Sequence, residues 1–307
     1  MIIDTHTHLM NPDVTPQPFW DSWVEMSALI ANRPLERVKR RLPEFWDLSG
    51  EVMIQEMDKA GIDKSIIAVV DWGLGRHFGE AKMGIEEINK LYADVAKKFP
   101  DRLIAFAGID PRRKGAAKSI ETFVTEWGMK GIKLHPAMGF YPNDKICYPI
   151  YEKASELKLP ILFHTGDDPR PVYFKFAQPI YLQEVAVDFP DIPIILGHAG
   201  GCWQNEAIAI CTNHTNVYLD LALWQTKLLH PLEFYRALRT MLNSVSWQRV
   251  LFGSDFPMLK LLVSQERWVK AFTEIPESVR GQGIEFTKDE IDGILGGNAT
   301  NILKLSK

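Results

Sequence analysis

Residues 4–8, Asp4-Thr5-His6-Thr7-His8, carry the densest chemistry in this chain. The apolar Met1-Ile2-Ile3 ahead of them reads as a strand. Side chains alternate along a strand, so Asp4, His6 and His8 are predicted to share one face. Two imidazoles on one face, at the end of a buried strand, form half of a transition-metal site. Four more apolar runs end in groups that bind metals or move protons. They deliver Lys133 and His135 (Gly131 to His135), His164 (Leu162-Phe163-His164), His198 (Ile195-Leu196-Gly197-His198) and Asp255 (Phe252-Gly253-Ser254-Asp255). One histidine after an apolar run is more often a hydrogen-bonded core residue than a ligand. Five such endings at one geometric level are not independent, and they point to a metal site.

The elements that must position these groups are eight candidate strands: 2–6, 65–70, 103–109, 131–135, 160–164, 193–198, 217–220 and 250–255. They are rich in Ile, Val, Leu and Phe on both faces, as strands of a buried parallel sheet are. Apolar residues at helical spacing separate them, for example Ile85, Ile88, Leu91, Tyr92, Val95 and Phe99. Ser49 is the expected cap of the helix that ends near Gly61, and Asn298 of the last helix. Eight β-then-α units predict a (β/α)₈ TIM barrel, as one domain over 1–307, with active residues at the carboxyl ends of its strands. Residues 9–48 form a long insertion after the first strand, with Phe19, Trp20, Trp23, Phe45 and Trp46 among the basic Arg33, Arg37, Lys39, Arg40 and Arg41. Either it serves the active-site face or it is a basic helix with aromatics packed beneath. Beyond Asp255 there is more helix than an eighth unit requires, predicted to cover the barrel's outside.

The chain has 307 residues, 46% of them hydrophobic and 24% charged, with a formal charge of -4. That balance gives no electrostatic case for nucleic acid or an anionic membrane. Its apolar runs are too short to span a bilayer, and no leader pattern precedes His6. Three scattered cysteines suggest a reducing compartment, and the cytoplasm is the expected location.

These motifs resemble the amidohydrolase superfamily, in the amidohydrolase-related branch that includes aminocarboxymuconate-semialdehyde decarboxylase. The resemblance runs from Asp4 to Gly297-Asn298-Ala299-Thr300-Asn301-Ile302-Leu303. It is carried by the His-x-His start, Gly131-Ile132-Lys133-Leu134-His135-Pro136, Gly197-His198-Ala199-Gly200-Gly201 and Gly253-Ser254-Asp255-Phe256-Pro257. It implies one divalent metal, commonly zinc, on His6, His8, His164 and Asp255, with His198 holding or deprotonating water. Asp255 is the alternative base. Three imidazoles and a carboxylate suit zinc and leave a position for water or substrate. Some superfamily members carboxylate the fourth-strand lysine to bridge two metals; this branch is typically mononuclear, which leaves Lys133 an amine that could meet a substrate carboxylate.

Asp4 is expected to orient the histidines. Trp72, Trp203 and Phe256 follow strands and could line a pocket, as could His135; Arg33 and Arg37 would suit a carboxylated substrate. Asp167, Asp168 and Arg170 read as a solvated loop, and His77, His214 and His230 as surface residues. The expected activity is hydrolysis of a small, carboxylated substrate, with non-oxidative decarboxylation of an aromatic or muconate-type acid as the alternative. Relatives of this kind are often homodimers. A nuclease of similar start carries a glutamate in place of Lys133. A metal-free lactonase and a scaffold without catalysis are the other readings.

Overall fold

Strands form in this chain on short buried segments rich in Ile, Leu, Val and Phe, some of which carry polar side chains such as His6 and Lys133. In the computed structural model, which describes residues 1–305, the strands are β1 (Ile3–Thr7), β2 (Lys64–Ala68), β3 (Leu103–Gly108), β4 (Gly131–Leu134), β5 (Ile161–Phe163), β6 (Ile194–Leu196), β7 (Val217–Asp220) and β8 (Val250–Leu251). All pair in parallel in chain order. The Thr5 amide donates to the Phe252 carbonyl at 2.9 Å, and a bridge joins Thr7 to Phe256, so β8 returns to β1. A helix follows every strand, from Glu51–Ala60 after β1 to Gln265–Thr273 after β8. The chain is a (β/α)₈ TIM barrel.

The alternation of strand side chains sorts two cores. Ile67, Val69, Ala105, Ile132, Leu134, Ile161 and Phe163 face outward onto the helices. Ile66, Ala68, Phe106, Leu162, Ile195 and Leu251 face inward and fill the barrel. Gly131 makes room for one of these: a Cβ there would lie 2.4 Å from the Phe106 ring. Lys133 on β4 breaks the inward apolar series with a buried amine, as His6 on β1 and Asp220 on β7 do with their own buried polar groups.

Several expectations change. The observed strands end one to four residues before the predicted ends at 164, 198 and 255. Left-handed backbone at His198 (φ 60°) and Asp255 (φ 52°) turns the chain out of the ladder there. Ser49 does not cap the first barrel helix alone: the Asp47 carboxylate accepts from the Ser49, Gly50 and Met53 amides. Asn298 caps nothing. A π-turn at Gly293–Gly297 leads straight into the last helix, and the Asn298 amide donates to the Trp247 and Val250 carbonyls. That helix does not cover the outside; Ala299 and Ile302 join the inward residues and close the barrel's lower end. The insertion holds helices Gln17–Ile30 and Leu35–Lys39 over an aromatic cluster of Phe19, Trp20, Trp23, Phe45 and Trp72. Cys147 and Cys211 are buried and Cys202 is exposed, all unpaired. No helix among the described residues is long and apolar enough to cross a membrane.

Candidate active site

At the carboxyl ends of the strands the structure gathers His6, His8, Lys133, His135, His164, Asp168, His198 and Asp255 around one cavity. The two histidines of β1 are oriented by their Nδ1 atoms. His6 Nδ1 donates to Asp220 Oδ2 at 2.8 Å, and His8 Nδ1 donates to the Ala68 carbonyl at 2.7 Å. In the neutral rings that leaves both Nε2 lone pairs free of protons. Those lone pairs point at one carboxylate: Asp255 Oδ1 lies 3.2 Å from His8 Nε2 and 3.6 Å from His6 Nε2. Buried acceptors converging on one point are costly without a cation among them, and only His6 Nε2 has one here, the Lys133 amine at 2.9 Å. His6, His8 and Asp255 fit a divalent ion on this ground, each with a donor atom within 4.8 Å of the others.

Lys133 stands against the same group, its amine donating to His6 Nε2 at 2.9 Å. Burial pulls its pKa down to about 8, opposed by Asp255, Asp220 and Asp168. Burial also keeps His6 neutral, and the Lys133 charge adds to that effect. Asp255 is driven the opposite way: burial disfavours its charge, yet the His8 contact and the neighbouring His6 and His198 together hold its carboxyl well below the usual range.

His198 leans on His6, with ring centroids 4.8 Å apart. Its Nδ1 faces the Ala222 carbonyl at 3.3 Å, and its Nε2 meets His164 Nδ1 at 3.1 Å. Burial, then the neighbouring His164, lowers its pKa to about 4, so the ring is neutral near pH 7. His164 is drawn into a second group rather than toward His6 and His8. Its ring stacks on His135 at 4.1 Å, and its Nε2 lies 2.8 Å from Asp168 Oδ2 without an aligned hydrogen bond. His135, His164 and Asp168 thus form a separate set of three donors.

The structure relocates other expected site residues. Asp4 does not share a face with His6 and His8, because the register of β1 shifts between Asp4 and Thr7. Its carboxylate instead accepts from Ser254, Gln265 and the His6 amide, which anchors the backbone beside Asp255. The acceptor that orients His6 is Asp220, which sequence reasoning passed over. A carboxylate ending the apolar run Val217-Tyr218-Leu219 was the signal. Asp168 is not solvated; it is part-buried against His164 and His135. Asp167 and Arg170 do stay exposed, the latter paired with Glu25 of the insertion. His77 and His230 are exposed and His214 partly so.

Trp72 and His135 line the cavity. Phe256 is buried beside it and contributes its carbonyl, which accepts from the His8 amide at 2.7 Å. Trp203 lies apart, against Phe174. Arg33 and Arg37 do not reach the donors; they border a neighbouring cavity.

Residues 3–305 match the family model described as Amidohydrolase. A curated relative, 2-keto-4-carboxy-3-hexenedioate hydratase of a Sphingobium species, is 25% identical over 238 residues. The match spans 66% of this chain and 66% of the length of that relative. Among solved structures, an uncharacterized TIM-barrel protein of Bordetella bronchiseptica superposes with a TM-score of 0.70 at 22% identity, covering 99% of this chain and 98% of that one. The 5-carboxyvanillate decarboxylase of Novosphingobium aromaticivorans, complexed with manganese and a nitrobenzoic acid, follows at 0.68 and 19%, covering 99% and 96%. With its strand-end donors and this match along nearly its whole length, the chain belongs to the amidohydrolase family of metal-dependent enzymes.

Proposed function

We propose that this protein is a hydrolase that uses one divalent ion, zinc, to turn water on a small carboxylated substrate. The observation that supports it is the convergence of His6 Nε2, His8 Nε2 and Asp255 Oδ1. His164 is assigned as the fourth donor because it lines the same cavity, and in that role its Nε2 turns from Asp168 toward His6, His8 and Asp255. When bound, the ion supplies Lewis acidity, which can lower the pKa of water from about 15.7 to about 7 and polarise a carbonyl. His198 accepts the proton. Burial keeps it in the neutral, basic form, and Nδ1 directed at the Ala222 carbonyl leaves Nε2 as its acceptor, which must exchange its His164 Nδ1 partner for water to take that proton. Lys133 remains predominantly cationic near neutrality and holds a substrate carboxylate oxygen beside His6. Asp168 faces the substrate side of His164 and His135. A relative named for hydration fits water as the reactant.

Decarboxylation is the second reading. It is favoured by an aromatic pair, Phe19 and Trp72, lining the same cavity as a buried amine, an arrangement that suits a flat carboxylated ring. The likeness to a decarboxylase structure supports it as well. Purified, metal-analysed enzyme incubated with lactones, amides and carboxylated aromatics separates the two. Acid production without carbon dioxide is the expected result. Carbon dioxide release with no net uptake of water would replace hydrolysis by decarboxylation.

A further inference from the structure

The cavity around the donor set measures about 90 Å³, well below the ~300 Å³ at which small-molecule sites generally begin. One end is polar and holds the donors; the other is walled by Met10, Phe19, Val70, Trp72 and Leu223. A second cavity of about 210 Å³ lies under the insertion helix Gln17–Ile30. The two share Trp23, Met26, Met258 and Leu259. Methionine side chains are unbranched and repack readily, so this partition yields more easily than a wall of branched residues. Joined across it, the two cavities reach the lower end of the usual range.

The outer cavity is apolar through Ile30, Val38, Leu261 and Leu262, and cationic only at its edge, at Arg33, Arg37 and Arg41. Arg41 is occupied by a bidentate pair with Glu44. Arg33 and Arg37 make no side-chain ion pair among the described residues, and both are exposed. Two adjoining cavities, one holding the donor set and the other bordered by two unpaired guanidinium groups, together have the polarity of an elongated anion.

We propose that the outer cavity is a second subsite of the same active site. It takes the far half of a substrate whose distal carboxylate, beyond an apolar spacer, pairs with Arg33 and Arg37. The substrate class becomes a long dicarboxylic acid derivative rather than a compact polyacid. This rests on placing the reacting end at the donor set.

Calorimetric titration of the metal-loaded enzyme with straight-chain dicarboxylates, from succinate to dodecanedioate, and with monocarboxylates of equal length tests it. Each added methylene should tighten dicarboxylate binding by about fourfold until the Arg33 edge is reached. The longer diacids should then exceed their monoacid counterparts by about tenfold. Arg33→Gln/Arg37→Gln should erase that advantage while succinate binding and metal content stay unchanged. Ser27→Trp, which fills the outer cavity alone, should exclude the long probes only. Equal binding of long diacids and monoacids, or retention of the advantage in both variants, would overturn the subsite. So would unchanged probe binding together with a dimer-to-monomer shift in sedimentation of these variants, which would assign the outer cavity to a second copy of the chain. Failure of the active-site reading is separate: succinate would then bind His6→Ala as tightly as the native enzyme.

Discussion

Asp220 shows how much a single residue outside the donor set can organise. It accepts from the His6 ring, the Ala222 amide and, at 3.4 Å, the His198 amide, so it fixes His6 and the loop that carries His198, the proposed base. Asp220→Asn should keep the fold and lower metal affinity by about 10–100-fold, the usual effect of losing a carboxylate behind a ligating histidine. Metal analysis after dialysis at graded free-ion concentrations reads this. His6→Ala and Asp255→Ala should lose the ion outright, and His164→Asn should lose ion and activity together. His198→Asn should keep the ion and lose about 10²–10⁴-fold in turnover, as a general base does. Metal retained in His164→Asn but lost in His198→Asn would exchange the two roles.

At the scale of elements, the site depends on short strands that stop early and on loops held in unusual backbone. His198, Ala199 and Asp255 all lie at positive φ, a conformation that costs non-glycine residues roughly 1–3 kcal/mol each and persists where surrounding structure enforces it. Neighbouring segments hold them: the Asp255 amide donates to the His6 carbonyl at 2.8 Å and the Trp224 ring N–H donates to the His198 carbonyl at 3.2 Å. The Tyr92 hydroxyl, from the helix Ile85–Lys98, donates to the Leu9 carbonyl and accepts from the Leu9 amide just past β1. Tyr92→Phe leaves both buried backbone groups unpaired, at a cost of about 1–3 kcal/mol. Urea denaturation should show a lower midpoint with an unchanged slope. A neutral outcome would mean that water replaces the hydroxyl.

For the whole molecule, the proposed ligands His8, just past β1, and Asp255, after β8, meet across the seam where the barrel closes, beside the Thr7–Phe256 bridge. An ion held there ties the two ends of the sheet together in the folded state only. Binding should therefore raise global stability by about 2.7 kcal/mol at a free ion concentration one hundred times the dissociation constant. Thermal melts across a metal series should move upward accordingly, and His6→Ala should melt at one temperature throughout. A metal-independent melting temperature in the native chain would place the ion off the seam.

The barrel was legible in the chain itself because parallel strands buried on both faces read as short apolar runs, and helices between them read at their own period. The strand-end positions of His6, His8, His164, His198 and Asp255 followed from the same runs, since a polar residue ending a buried strand has few places to go. Which nitrogen faces which partner did not follow. For two of the histidines it was decided by residues far apart in sequence, Asp220 behind His6 and Ala68 behind His8, and for His164 by the loop that folds Asp168, four residues on, back against it. The separation of Asp4 from the histidines was equally hidden, because a register shift in β1 depends on its neighbour and not on its own alternation. Arg33 and Arg37 were visible as charges, but only folding of the insertion over residues 258–262 set them at the border of an apolar cavity. Local pattern determines elements and their ends; contacts between distant segments determine the chemistry of the space they enclose.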